Sequence, residues 1–283
     1  MTDKKNYEYS ILVRYAEIAL KGKNKGDFEH KLVENIREAI RKQNISDFKI
    51  ERKFSRILIE TNTKEIDLTK VFGIYSYSYS KKSDISNEKS IDTIKKIVDL
   101  FLHDITQKTT FRVSAQRLDK NYPMNSTQIE KDIGAYVVEK TKAKVNLKNF
   151  EKEIGIEIID GIVYVYSEKI RGSGGLPVGI EGKVLVLIED KNSIDAGILI
   201  MKRGCQIIPI SYEEKNLEML EEYSIKALKL SLIKDEKEID DLAKKYDAKA
   251  LVVGQTLKNI KEINTNLLIL RPKIIDNKYI DEK

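Results

Sequence analysis

One cysteine, two histidines and no tryptophan among 283 residues exclude several chemistries at the outset. A lone thiol, Cys205, permits no internal disulfide framework and no multi-cysteine zinc or iron–sulfur site within one chain. His30 and His103 are too few for a histidine-built metal centre, so no metal is expected. No apolar run approaches the roughly 20 residues that cross a bilayer. The opening MTDKKNYEYS lacks the apolar core of a secretion signal. The expectation is a cytoplasmic protein with no membrane partner. What is present is a hydrophobic content of 41%, enough to pack cores, on a length that suits two or three domains.

The net charge of +6 is unevenly placed. Residues 1–172 hold 33 Lys and Arg against 26 Asp and Glu, whereas residues 173–283 hold 18 against 19. The basic excess belongs to the first part, as in a module that meets a polyanion such as RNA. A lysine-rich solvated surface would give the same count.

Periodicity divides the chain into modules. Over residues 1–80 a strand (Tyr9 to Tyr15) leads through a charged turn to a helix. Asp27 can cap that helix, whose apolar positions Phe28, Leu32, Ile36 and Ile40 recur every four residues. His30, Lys31, Arg37 and Arg41 fall off the stripe, toward solvent. A hairpin around Phe54-Ser55, a short helix from Lys64 to Val71 and a strand from Gly73 to Tyr79 complete the order βαββαβ, that of a ferredoxin-like domain. Tyr75, Tyr77 and Tyr79 alternate along the last strand, as base-stacking rings or as one face of an ordinary sheet.

Residues 81–171 read as a second α/β module. An amphipathic helix spans Glu88 to His103. A strand from Phe111 runs into a basic turn ending at Lys120. A helix capped by Ser126 or Thr127 follows, and then a short strand, Val145 to Leu147. A hairpin turns at Asp160-Gly161. Arg112, Arg117 and Lys120 lie on or beside one strand end, where guanidinium forks can grip phosphate or pair with neighbouring carboxylates.

The run Gly172-Ser173-Gly174-Gly175 leads to a strand rather than a helix, so residues 172–182 read as a flexible link. Residues 183–283 alternate strand and helix: Val184 to Ile188, a helix from Ile194, a strand at CQIIPI, a helix from Leu217 to Leu232, a helix from Glu236 to Tyr246, and short strands at 251–253 and 267–270. Such alternation builds a parallel sheet. The fold expectation is therefore an α+β first half followed by a small α/β domain. The strand–loop–helix at Lys183 to Gly204 has the frame of a nucleotide site. Its loop holds no glycine and offers Glu189 and Asp190 where a phosphate needs bare amides. Cys205, at the start of a strand, reads as buried filler rather than a nucleophile.

Several stretches resemble one family. RYAEIALKGKN (Arg14 to Asn24) is similar to the RYGEIxLKGKN opening of the 4-thiouridine synthetase (ThiI) family, with Ala16 in place of the usual glycine. Phe111 to Gly134 resembles the core of a THUMP domain, and Gly172 to Leu187 resembles the passage into a PP-loop ATPase domain. Ala250 to Gly254 and Leu267 to Pro272 resemble later strands of that domain. The resemblance implies a ferredoxin-like domain (1–80), a THUMP RNA-binding domain (81–171), a linker (172–182) and a PP-loop-like domain (183–283). It implies tRNA, at its acceptor end, as partner, and makes Lys21, Lys23, Lys25, Arg112, Arg117 and Lys120 candidate contacts to the RNA backbone.

The chain departs from the family where ATP would bind. The SGGxDS pattern, whose amides cradle pyrophosphate, is replaced by EDKNSID (Glu189 to Asp195), and a GESLGQVASQT-like segment is reduced to Gly254-Gln255-Thr256. Leu187, Ile188, Gly254 and Gln255 would line what remains of the pocket. Neither ATP nor any other cofactor is expected, and no residue is assigned to catalysis. The expected role is a tRNA-binding subunit in thiouridine-type modification, working with a partner enzyme or as a homodimer. The alternatives are an active sulfurtransferase with a remodelled nucleotide site, or an adaptor for another tRNA-modifying enzyme such as an acetyltransferase.

Overall fold

The computed structural model describes residues 7–87 and 89–274. In chain order the elements are β1 (Tyr9–Arg14), α1 (Lys25–Lys42), β2 (Phe48–Lys53), β3 (Arg56–Thr61), β4 (Ser76–Asp84), α2 (Ile91–Val98), β5 (Thr110–Arg117), α3 (Ser126–Thr141), β6 (Lys144–Val145), β7 (Lys152–Ile159), β8 (Ile162–Tyr166), β9 (Ile170–Arg171), β10 (Lys183–Leu187), α4 (Lys191–Lys202), β11 (Gln206–Ser211), α5 (Glu218–Glu221), β12 (Ser231–Leu232), α6 (Lys237–Tyr246), β13 (Ala248–Val253) and β14 (Leu268–Leu270). The fold is mixed α/β. It divides into two compact units, of which the chain enters each more than once.

Among the described residues, the first unit takes in those up to Arg14, 45–66 and 76–171 and carries one nine-stranded sheet. Its order is β2-β3-β1-β4-β8-β7-β5-β6, with β9 beside β4. The long strand β4 makes the sheet continuous: Ser76 to Ser80 pair antiparallel with β1, and Lys81 to Asp84 pair antiparallel with β8. The core over β5, β7 and β8 is closed by α2 and α3, whose Ile94, Ile97, Ile129, Ile133 and Val137 meet Phe111, Ile154 and Ile156. On the sheet a buried carboxylate, Glu157, accepts from Arg14 Nε at 2.7 Å and from Arg56 Nε at 2.7 Å. Arg14 also donates to Ser78, and Arg56 to Gln116, so β1, β3, β4, β5 and β7 are tied through one ionic cluster.

Among the described residues, the second unit takes in 15–44, 67–75 and those from 172 onward. Its five-stranded parallel sheet has the order β12-β11-β10-β13-β14. Alternate residues of β10 and β13 enter opposite cores. Val184, Val186 and Val252 meet α4 and α5, while Leu185, Leu187 and Leu251 meet α6. This two-sided burial is why both strands are unbroken apolar runs. Helix α1 belongs to this unit: its buried Asn35 donates to Val178 O at 3.1 Å, and Lys42 donates to Ser224 O at 2.7 Å.

Several expectations change in detail. Residues 64–71 form turns, because Thr63 and Asp67 side chains accept from Glu65 N and Thr69 N and so compete with helical bonding. The strand expected at Gly73 begins at Ser76, since Gly73 has φ +100° and donates to Gly174 O at 2.8 Å. Of the helix expected over 217–232 only α5 forms. Its apolar residues Tyr223, Ile225 and Leu228 reach the core from an irregular segment, with Tyr223 stacked on Phe72 at 5.1 Å. The helix expected from 88 to 103 is α2 plus a 3-10 turn (Asp99–Phe101), and residue 88 lies outside the described residues. Helix α3 is capped by Asn125, which accepts from Gln128 N, while Ser126 Oγ accepts from Arg117 N. The glycine run is not a free link: Gly174 N donates to Ile74 O, and Leu176 N donates to Lys202 O.

Candidate functional site

The six basic residues expected at an RNA interface fall in both units. In the second unit Tyr15 to Asn24 folds as two 3-10 turns (Glu17–Leu20 and Gly22–Asn24) running into α1, with Gly22 at φ +54° opening the second. Lys21, Lys23 and Lys25 therefore surround the N-terminus of α1, where the helix dipole favours an anion. Lys23 is exposed. Lys21 is 3.6 Å from Glu181 and lies over the Phe28 ring. Lys25 is 3.5 Å from Glu29.

In the first unit Lys120 is exposed, but the two arginines are engaged internally. Arg112 donates to Glu153 Oε1 at 3.0 Å and its guanidinium stacks on Phe150 at 3.9 Å. Arg117 donates to Tyr122 O at 2.7 Å, bracing the loop between β5 and α3. Burial pushes the Glu153 carboxyl up. Hydrogen bonds from Ser114 and Lys169, with the charge of Arg112, more than reverse that and hold it below the ordinary value. Of the three tyrosines considered for stacking, Tyr77 is 3% exposed and Tyr79 donates to Ile66 O. These two are ordinary sheet residues. Tyr75 is exposed and lies outside the strand.

The four residues expected at a nucleotide pocket do come together, at the carboxyl ends of β10 and β13, where Leu187 pairs with Val253. Leu187, Ile188 and Gln255 are at most 3% exposed. The loop that follows β10 bonds to itself. Ser193 Oγ accepts from Glu189 N at 2.9 Å and from Asp190 N at 3.0 Å, and Asp190 Oδ1 accepts from Ser193 N at 3.0 Å. This is a complete capping box on α4. Gly254 lies against it so closely that a Cβ there would overlap the Ser193 backbone nitrogen. Around this contact Lys261 pairs with Glu189 at 2.6 Å, Lys273 with Asp195 at 3.4 Å, and Arg271 donates to Gln255 Oε1 at 2.9 Å. Among the described residues the buried Gln255 amide nitrogen has no hydrogen-bond partner.

Cys205 is half-buried, and burial followed by the nearby Glu181 carboxylate pushes its thiol up, away from a reactive thiolate. Among the described residues no cluster of His, Cys, Asp and Glu could hold a metal ion, and no helix is long and apolar enough to cross a membrane. Local pattern gave no sign of Glu157 as the partner of Arg14 and Arg56. It stands as one acid within an apolar strand, and its partners are 143 and 101 positions away.

Comparison with known proteins assigns these parts. The family model of the ThiI ferredoxin-like domain matches residues 10–78, and that of the THUMP domain matches residues 85–168. A Thermococcus kodakarensis protein named "Probable tRNA sulfurtransferase" is 33% identical over 321 aligned positions, covering 93% of this chain and 83% of that protein. The chain belongs to the tRNA sulfurtransferase family. A Methanocaldococcus jannaschii relative of the same name is 31% identical and covered to 84%. Of a Mycoplasmopsis synoviae sulfurtransferase, 37% identical, the chain spans 50% of the length. A crystal structure from Pyrococcus horikoshii superposes with a TM-score of 0.85 at 30% identity, covering 96% of this chain and 97% of that one. The fold is also that of a 4-thiouridine synthetase solved with RNA and bound ATP, with a TM-score of 0.74 at 23% identity. The 321 positions aligned to the Thermococcus sulfurtransferase outnumber this chain's 283 residues, so the longer relative carries segments that this chain lacks.

Proposed function

We propose that this chain binds tRNA at its acceptor end and serves 4-thiouridine-type modification as a substrate-binding or adaptor subunit, without an ATP-dependent step of its own. The observation that carries the second half is the loop after β10. A triphosphate at this helix terminus would need the amides of Glu189, Asp190 and Ser193, and all three are already bonded within the loop. It would also meet the carboxylates of Glu189 and Asp190, and it would find Gly254 packed on the helix terminus. The residues present do not fit the group.

The RNA half of the reading rests on the THUMP match, on the basic N-terminal half and on the lysines around the start of α1. Lys23 and Lys120 are the candidate contacts most open to a phosphate. Arg112 and Arg117 would act by holding the THUMP surface in shape. The chemistry would then come from a partner enzyme.

The test is an anisotropy titration of a labelled tRNA transcript. For about four duplex phosphate contacts, the logarithm of affinity falls against the logarithm of salt with a slope near −4. Absence of tRNA binding at low salt would end this reading.

A second reading, an active sulfurtransferase with a remodelled site, draws on the names of the relatives and on one observation. The Gln255 amide nitrogen beside Arg271, without a partner among the described residues, is a donor at the sheet end where α/β folds bind ligands. Thiolation of tRNA by the purified chain with ATP and a sulfur donor would establish it.

A further inference from the structure

A cavity of about 800 Å³ lies within the second unit, away from the residues assigned above. One wall is the outer face of α1, with Lys31, Arg37 and Arg41. The other is the irregular segment after α5, with Lys226 and Lys229. The five cations face two acids, Glu34 and Glu38, which Lys31 and Arg41 already neutralise at 3.0 and 2.8 Å. Arg37, Lys226 and Lys229 make no ion pair among the described residues, and both lysines are exposed.

The floor is the edge of β11. Strand β12 covers that edge only at Ile210 and Ser211. Gln206 N donates to Gly182 O and Ile210 O accepts from Ile188 N, both on the β10 side, so strand alternation turns the backbone of Ile207, Pro209 and Ser211 to the other edge, where the Ile210–Ser231 pairing takes up the Pro209 carbonyl and Ile207 stays open. Pro209 has no N–H, which leaves Ile207 as the one donor there. An added peptide strand would find too few bonds. Tyr246 brings an aromatic ring to the lining. A cationic groove with an aromatic ring and a poor strand edge is built for a single-stranded nucleic acid rather than a peptide.

We propose that this groove holds a single-stranded stretch of RNA, with its phosphates on Arg37, Lys226 and Lys229. This rests on the reading of the chain as a tRNA binder, and it adds a contact surface outside the THUMP module. The probes are an unmodified tRNA transcript and a short oligouridylate. The test variant combines Arg37→Ala, Lys226→Ala and Lys229→Ala. The control removes the same charge at exposed sites outside the groove, with Lys237→Ala, Lys244→Ala and Lys258→Ala, and thermal melting verifies that both fold.

Losing three single-strand phosphate contacts lowers the salt slope by about 2, at roughly 0.7 per contact. Affinity for both probes should fall about tenfold or more at moderate salt, with the control unchanged. Equal losses in the two variants would overturn the proposal while leaving tRNA binding intact. Failure of the unaltered protein to bind tRNA would instead overturn the reading beneath it. Groove-dependent binding of polyglutamate, with RNA binding unaffected, would reassign the groove to an acidic protein segment and reject an RNA site.

Discussion

Glu157 shows how much one side chain can hold. It is 1% exposed, yet it carries a charge between two guanidinium groups, and its removal would leave both buried and unbalanced. Glu157→Ala should cost about 3–5 kcal/mol, read by urea unfolding. Replacing Arg14, Arg56 and Glu157 together with apolar residues of similar volume should recover much of that loss. A loss below about 1 kcal/mol for Glu157→Ala would mean that water reaches the cluster. Arg14 is legible as part of a family motif. Its role is not, because the acid it serves lies on β7 and no local spacing joins the two. The same holds for Arg112, whose exposed-looking place on a basic strand conceals a stack on Phe150 and a bond to Glu153.

Elements were legible where a single period dominated. The four-residue stripe of α1, the hairpin at Phe54-Ser55 and the apolar strands β10 and β13 follow from sequence alone, because burial there is one-sided or complete along a regular element. The segments 64–71 and 217–232 misled for a common reason. Ile66, Leu68, Val71 and Leu220 are buried, but Thr63, Asp67 and Ser224 side chains bond the local backbone and favour turns. The loop before α4 was legible in composition but not in use. The acids that look hostile to phosphate include Asp190, the helix cap. Asp190→Ala should therefore cost about 1 kcal/mol of stability, seen as a lower melting temperature, with tRNA affinity unchanged. A marked change in tRNA affinity with no change in melting would place Asp190 at the RNA instead.

For the whole molecule, the order of modules could be read from motifs, while the grouping into two units could not. Helix α1 is continuous in sequence with the first sheet. It joins the second unit through Asn35 to Val178 and Lys42 to Ser224, contacts that only the folded chain brings together. The groove with Arg37, Lys226 and Lys229 arises from that same packing, which is why charge counting alone missed it. The central claim is that a chain of the sulfurtransferase family has kept RNA binding and closed its nucleotide site. Calorimetric titration of magnesium ATP into the tRNA-saturated protein tests it most directly. The account predicts no ATP binding tighter than about 1 mM, with tRNA still bound. Saturable ATP binding at micromolar concentration would contradict it, and would make the Glu189 to Asp195 loop a phosphate site that opens when RNA is present.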